Sequence, residues 1–164
     1  MKKLFLLAIL SFSFIGFSQE NDESNFWENV RFGGAVGLNF GNNTTNIAVL
    51  PTAIYQFNES VALGVNLGYQ YSKRNDVKSN VYSAGILSFF NPIYEIQLSA
   101  EFEQLFVSST FGDIKDSYNY PSLYLGGAYQ ISNNFAIGMR YDVLYDNNKS
   151  IYGSAFSPIV RVFF

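Results

Sequence analysis

The chain has 164 residues, 48% hydrophobic and 18% aromatic but only 14% charged, with a mean hydropathy of +0.06, which is apolar and rich in Tyr and Phe for a water-soluble domain. That length allows one domain with a real core and leaves no room for a large second one. Cysteine and histidine are both absent, which removes disulfides, thiolate catalysis, an imidazole base and the common zinc sites. A formal charge of −3 gives no footing for nucleic acid as a partner.

In chain order, Lys2 and Lys3 precede an apolar run from Leu4 to Phe17, and Gly16 and Ser18 supply small residues before Gln19. This is the pattern of a secretory signal peptide over residues 1–18, cleaved after Ser18. The run is shorter than the ~20 residues a spanning helix needs, and no cysteine follows it for lipid attachment. Residues 19–29 form a short acidic leader, expected in the periplasm. Within it, Phe26-Trp27 suits either an anchor at the membrane interface or packing against the rim of the domain that begins at Val30.

From Val30 onward the apolar residues alternate. Val30, Phe32, Val36, Leu38 and Phe40 share one parity, and Arg31, Gly33, Ala35, Gly37 and Asn39 the other, which predicts a strand with two unlike faces. The second run, about 46–57, sets Ile47, Val49, Ala53, Tyr55 and Phe57 on one side; the third sets Val61, Leu63, Val65, Leu67, Tyr69 and Tyr71 against Ala62, Gly64, Asn66, Gly68, Gln70 and Ser72. Five more runs fall near 80–90, 94–107, 118–131, 135–145 and 151–164. The fourth is ambiguous, because Leu87 and Phe89 support one parity and Ile86 and Phe90 the other. Short turns at 58–60, 91–93 and 132–134 interleave with mostly longer connections at 41–45, 73–79, 108–117 and 146–150. The sum is an all-β, eight-stranded antiparallel up-and-down barrel over residues 30–164.

A soluble lipocalin-like carrier and a membrane barrel alternate with opposite polarity, and the non-apolar face decides between them. It carries Gly33, Gly37, Gly64, Gly68, Gly126, Gly138 and Gly153. A solvent face would carry Lys, Glu and Thr instead, because glycine weakens strands; a narrow lumen needs small residues. Seven charged residues lie within the runs, Arg31, Glu95, Glu101, Glu103, Arg140, Asp142 and Arg161, and all share the parity of the small, polar face. An Arg or Lys facing lipid at mid-membrane costs about 2–4 kcal/mol, so their avoidance of the apolar face predicts a transmembrane barrel with a charged lumen network. Aromatics near the run ends form two girdles: Phe57, Tyr94, Phe135 and Phe164 at the tight-turn end, and Phe40, Tyr69, Tyr71, Tyr120, Tyr145 and Tyr152 at the other. Pro51 and Pro158 sit inside runs, where a bulge or break is expected.

The chain ends Ser157-Pro158-Ile159-Val160-Arg161-Val162-Phe163-Phe164, an alternating strand with a terminal aromatic. This resembles the carboxy-terminal signal read by the outer-membrane assembly machinery, with Val160, Val162 and Phe164 as its outward residues. With the leader, the eight runs and the turn rhythm, the chain resembles the OmpA/OmpX-like class of small outer-membrane barrels, without a periplasmic domain. The resemblance implies a monomer in the outer membrane of a Gram-negative cell, with both termini periplasmic. It implies as partners the membrane lipids, lipopolysaccharide, periplasmic chaperones and the assembly machinery.

The functional expectation is a structural or surface role, the seven charges forming a salt-bridged plug. The alternatives are a narrow, porin-like channel or small-molecule or ion-binding barrel, and, third, the soluble carrier. Catalysis is not expected. Deacylase and palmitoyltransferase barrels of this class use a histidine near a serine, and Ser108, Ser109, Ser117 and Ser122 have none. No thiamine-diphosphate segment or nucleotide loop supports an alpha-ketoglutarate decarboxylase reading, and no cofactor is implied. Asp113, Asp116 and Asp146 lack EF-hand spacing and so are expected to be solvated loop charges, and no metal site is predicted. Lys73, Arg74 and Lys78 form a basic loop cluster that could meet lipopolysaccharide phosphates.

Overall fold

A computed structural model describes residues 23–41, 44–74, 77–152 and 154–164; the expected signal peptide lies outside them. A short helix, α1 (Glu23–Glu28), leads into eight strands: β1 (Val30–Gly41), β2 (Thr44–Gln56), β3 (Val61–Arg74), β4 (Val77–Ile93), β5 (Ile96–Phe111), β6 (Ile114–Ser132), β7 (Phe135–Asp142) and β8 (Phe156–Phe163). Each pairs antiparallel with its sequence neighbour, and β8 closes on β1, giving a barrel in the order β1 to β8. Eight strands leave an interior only wide enough for side chains to fill.

The period-two pattern sorts the side chains as the barrel requires. Large apolar groups stand on the outer wall, with Leu67 65% and Ile86 63% exposed, while Asn66, Gln70, Glu101, Glu103, Arg140 and Arg161 are buried inside. The open question in the fourth run is resolved: Leu87 and Phe89 are buried in the lumen, and Ile86 and Phe90 face outward. Gly85 shares the inward parity of Leu87 and Phe89, at a crowded point of the lumen. A Cβ on it would lie 2.6 Å from Asn66 Oδ1 and 2.9 Å from Glu103 Cγ.

Several boundaries differ from the sequence expectation. The turn placed at 91–93 falls at Tyr94–Glu95, because a register shift between Phe90 and Ile93 carries β4 three residues further. The long connections expected at 73–79 and 108–117 are mostly strand. β3 pairs β4 out to Arg74 and Val77, and β5 pairs β6 out to Phe111 and Ile114. Gly112, at φ 59°, supplies the left-handed conformation that the short β5–β6 reversal needs. Conversely, the seventh and eighth runs are shorter than expected. β7 and β8 have 8 residues each against 19 in β6, and residues 143–155 form the connection between them.

Of the bulge or break expected at positions 51 and 158, the strands show a break in the ladder beside each proline and no bulge. β2 keeps one register on both sides of Pro51, although Leu50 and Pro51 have no partners on β3, and the Thr52 hydroxyl donates to the Leu50 carbonyl at 3.0 Å. Pro158 pairs in register with Met139 of β7 and lies beyond the last β1–β8 pair, Val36 with Val160. The register shifts occur instead at Phe90/Ile93 and at Gln130/Ser132.

Candidate functional site

The lumen is built in three layers. At the tight-turn end Ile54, Ala62, Leu87, Phe89 and Phe163 form an apolar cluster, with the Phe89 and Phe163 rings edge to face at 5.8 Å. At the other end Val81, Leu105, Val107 and Tyr120 form a second, against which Tyr118, Ile151 and Tyr152 pack. Between them lies a belt of paired charge.

The belt arises from strand geometry. Glu101 and Glu103 are two apart on β5 and therefore project to the same side, and β7 and β8 deliver Arg140 and Arg161 opposite them. Arg140 Nη1 donates to Glu101 Oε2 at 2.9 Å and to Glu103 Oε1 at 3.0 Å, and Arg161 Nη2 donates to Glu101 Oε1. Glu101 is thus shared by two guanidinium groups. Neighbouring polar groups add further bonds: Ser99 Oγ donates to Glu101 Oε1 at 2.9 Å, Asn66 Nδ2 to Glu103 Oε1 at 3.3 Å, and Arg161 Nη1 to Gln97 Oε1 at 2.9 Å, while Arg140 Nε is buried without a hydrogen-bond partner among the described residues. The aromatic walls add cation–π contacts, Arg140 lying 3.8 Å from the Tyr124 ring centre and Arg161 4.8 Å from that of Phe89. Two arginines against two glutamates leave the belt formally neutral, and pairing is the condition under which such charges persist away from water.

Three of the seven expected lumen charges do not join the belt. Glu95 lies in the β4–β5 turn and is exposed, since β5 begins only at Ile96. Arg31, near the tight-turn rim, donates to the carbonyls of Asn133 at 2.9 Å and Phe163 at 3.3 Å. Asp142 is buried at the end of β7, where it accepts the backbone N–H groups of Leu123 at 3.2 Å and Leu144 at 3.0 Å and caps the point where the chain leaves the wall. Val160 and Val162 have the outward parity of β8, opposite buried Ile159, Arg161 and Phe163, and Phe164 is exposed. Among the described residues no group of three His, Cys, Asp or Glu is placed to hold a metal.

The expected outer girdle also needs correction. Tyr120 belongs to the lumen by parity, with buried Ser122 and Tyr124 on β6, and Tyr152 because the β7–β8 connection folds into the barrel mouth where the wall is short. Tyr152 Oη donates to Gln70 Oε1 across the lumen at 2.7 Å, Ile151 N–H donates to Tyr120 Oη at 3.2 Å, and Tyr145 Oη donates to the Tyr152 carbonyl at 3.1 Å. Burial pushes the Tyr152 hydroxyl above the ordinary phenol range, so it stays a proton donor to Gln70. This closure was invisible in the sequence because Tyr145 and Tyr152 continue the aromatic alternation of strands. The side chain of Phe40 lies outside the described residues.

No protein-family model matches the chain, and no curated protein matches it in sequence. Solved structures do. The N-terminal β-barrel domain of OprF from Pseudomonas aeruginosa superposes with a TM-score of 0.51 at 15% identity, covering 82% of this chain and 95% of that one. The fold is that of a small eight-stranded outer-membrane β-barrel. Looser matches to barrels of this kind are Ail, the attachment invasion locus protein of Yersinia pestis, with a TM-score of 0.45 and 14% identity over 82% of this chain and 93% of that one, and Neisserial surface protein A, with 0.44 and 19% over 82% and 94%. In such a barrel the apolar outer wall is the lipid-facing surface and the belt lies inside it.

Proposed function

We propose that this protein is an integral outer-membrane barrel with a structural or surface role, its lumen plugged and held rigid by the Arg140–Glu101–Glu103–Arg161 belt. The observation that carries the reading is that the belt is internally neutral, buried, and stacked between two apolar clusters. A conducting path would need a continuous line of water. At the tight-turn end a cavity lined by Ile54, Ala62, Phe89 and Phe163 reaches Gln97 and Arg161, and on this reading the paired belt and the Tyr120 cluster beyond it interrupt the path. The tight turns and both termini lie on the periplasmic side in this reading, and the signal peptide over 1–18 delivers the chain for export. Val160, Val162 and Phe164 present the strand edge that the assembly machinery takes up. Lipids and lipopolysaccharide are the partners of the outer wall, the protein is a monomer, and no catalysis or cofactor is assigned.

The test has two parts. Folded protein extracted from outer membranes should migrate differently on SDS gels before and after boiling, and the same protein in planar bilayers should give no discrete current. Reproducible single-channel steps would overturn the plug in favour of a narrow channel, while recovery in the soluble periplasmic fraction would overturn membrane insertion itself.

A further inference from the structure

The helix α1 has no role in the lumen, yet it is built onto the barrel wall. Its Phe26 ring stacks on Tyr55 of β2 at 5.1 Å with an interplanar angle of 25°, Trp27 meets Phe26 edge to face at 5.3 Å, and Tyr55 meets Phe57 in the same way at 5.0 Å. Four rings thus run in contact from the helix to the first tight turn. The backbone fixes them: Asn29 N–H donates to the Phe26 carbonyl at 3.1 Å, and Gln56 N–H donates to the Asn29 carbonyl at 2.8 Å. A helix of 6 residues has too few internal bonds to persist alone, so this docking is what holds it.

The stack is not a core. Trp27 is 63% and Phe57 58% exposed. Tyr55 has the outward parity of Ala53 and Val49, so the ledge continues the apolar outer wall at its tight-turn end. Beyond it come only polar turn residues, Asn58, Glu59 and Ser60, and beside it the exposed Glu28. One flank is therefore apolar and the other charged, and an indole with an apolar body and a single N–H is suited to that boundary. We propose that α1 is a membrane-interface anchor, its Phe26–Trp27 pair seated at the phospholipid headgroup–acyl boundary and clipped to the barrel by Tyr55. The anchor fixes the depth of the tight-turn rim in the bilayer. This rests on the membrane-barrel reading above.

Trp27 is the single tryptophan, so its fluorescence reports this site alone. The purified protein is reconstituted into phosphatidylcholine vesicles carrying bromine either near the glycerol or deep in the acyl chains. Expected are emission blue-shifted from that of the urea-unfolded chain and a greater loss of intensity with shallow bromine than with deep. Tyr55→Ala should shift the emission back to the red and reduce that loss while the heat-dependent gel shift persists. Unshifted, iodide-accessible emission from a barrel that keeps its gel shift would overturn the anchor alone, and so would deep bromine quenching more strongly than shallow. An unchanged Tyr55→Ala profile would overturn the clip. Loss of the gel shift in the parent protein would instead overturn the membrane-barrel reading.

Discussion

Removing Glu103 tests the lumen belt most directly. In the native barrel Glu103 is 2% exposed, accepts from Arg140 Nη1 at 3.0 Å and from Asn66 at 3.3 Å, and helps balance two buried arginines. Glu103→Ala leaves Arg140 with Glu101 alone, a carboxylate already shared with Arg161, so the belt carries one uncompensated positive charge. Breaking a buried ion pair from one side costs about 3–5 kcal/mol; the surviving Glu101 contact places this case toward the lower end. Urea unfolding in lipid or detergent, followed by gel mobility, should show the midpoint falling accordingly. Pairing the change with Arg140→Met removes both charges and should recover much of the loss, since a neutral replacement of a buried pair is often tolerated. Bilayer recordings should stay silent, because Val81, Leu105, Val107 and Tyr120 still fill the lumen beyond the belt. A Glu103→Ala midpoint equal to the parent's would refute the structural role of the belt, and current through the variant would refute the sealing by that apolar layer.

The outer wall, the crowded lumen and the mouth each give a further prediction. Ile86→Arg, at a residue 63% exposed in the middle of the apolar belt, should destabilise the barrel in bilayers by about 2–4 kcal/mol, whereas an unchanged urea midpoint would place that face in water. Gly85→Ala introduces a methyl group 2.6 Å from Asn66 Oδ1 and 2.9 Å from Glu103 Cγ and should cost about 1–3 kcal/mol through overpacking; a stability gain would mean that the lumen has spare room there. Tyr152→Phe removes the bond to Gln70, worth about 1 kcal/mol, and should speed proteolytic cleavage within 143–155 while the strands stay protected. Equal cleavage rates in the two proteins would show that the bond does not hold the mouth closed.

Strand parity was legible because it answers to a strong physical demand: an unpaired charge on the lipid side is costly, so Glu101, Glu103, Arg140 and Arg161 had to share the small-residue face. Which of the seven charges meet was not legible. Parity says which way a side chain points but not its height along the barrel axis, and height depends on register. Glu95 fell into a turn through the shift between Phe90 and Ile93, and Arg31 and Asp142 sit where strands begin or end, with backbone groups as their partners. The β7–β8 mouth was hidden for a related reason. Its residues alternate like a strand, and only the loss of β6 and β1 as neighbours shows that they cannot be one.

The four prolines mark where the ladder is open, and this gives the last prediction. Pro51 lies where β2 has no partner on β3, Pro92 lies within the β4–β5 register shift, and Pro158 lies past the end of the β1–β8 seam. Pro121 lies on the stretch of β6 above its last pair with β7, Tyr124 with Asp142. Leu123 directs both its N–H and its C=O toward the β7 side, to Asp142 and Val143. Residue 121 has the same orientation, so the N–H that proline lacks would point at an unpaired edge. A missing donor is harmless only there, so Pro121→Val should move the unfolding midpoint by no more than about 0.5 kcal/mol. The reverse experiment is Val65→Pro, at a residue paired with Ala53 on one side and Ile86 on the other. It deprives a neighbouring carbonyl of its donor in a lipid-bounded wall and should cost about 1–3 kcal/mol or more. If the two substitutions proved equally harmful, prolines would not be reporting ladder openings, and the short β7–β8 wall inferred from the same pairings would have to be wrong as well.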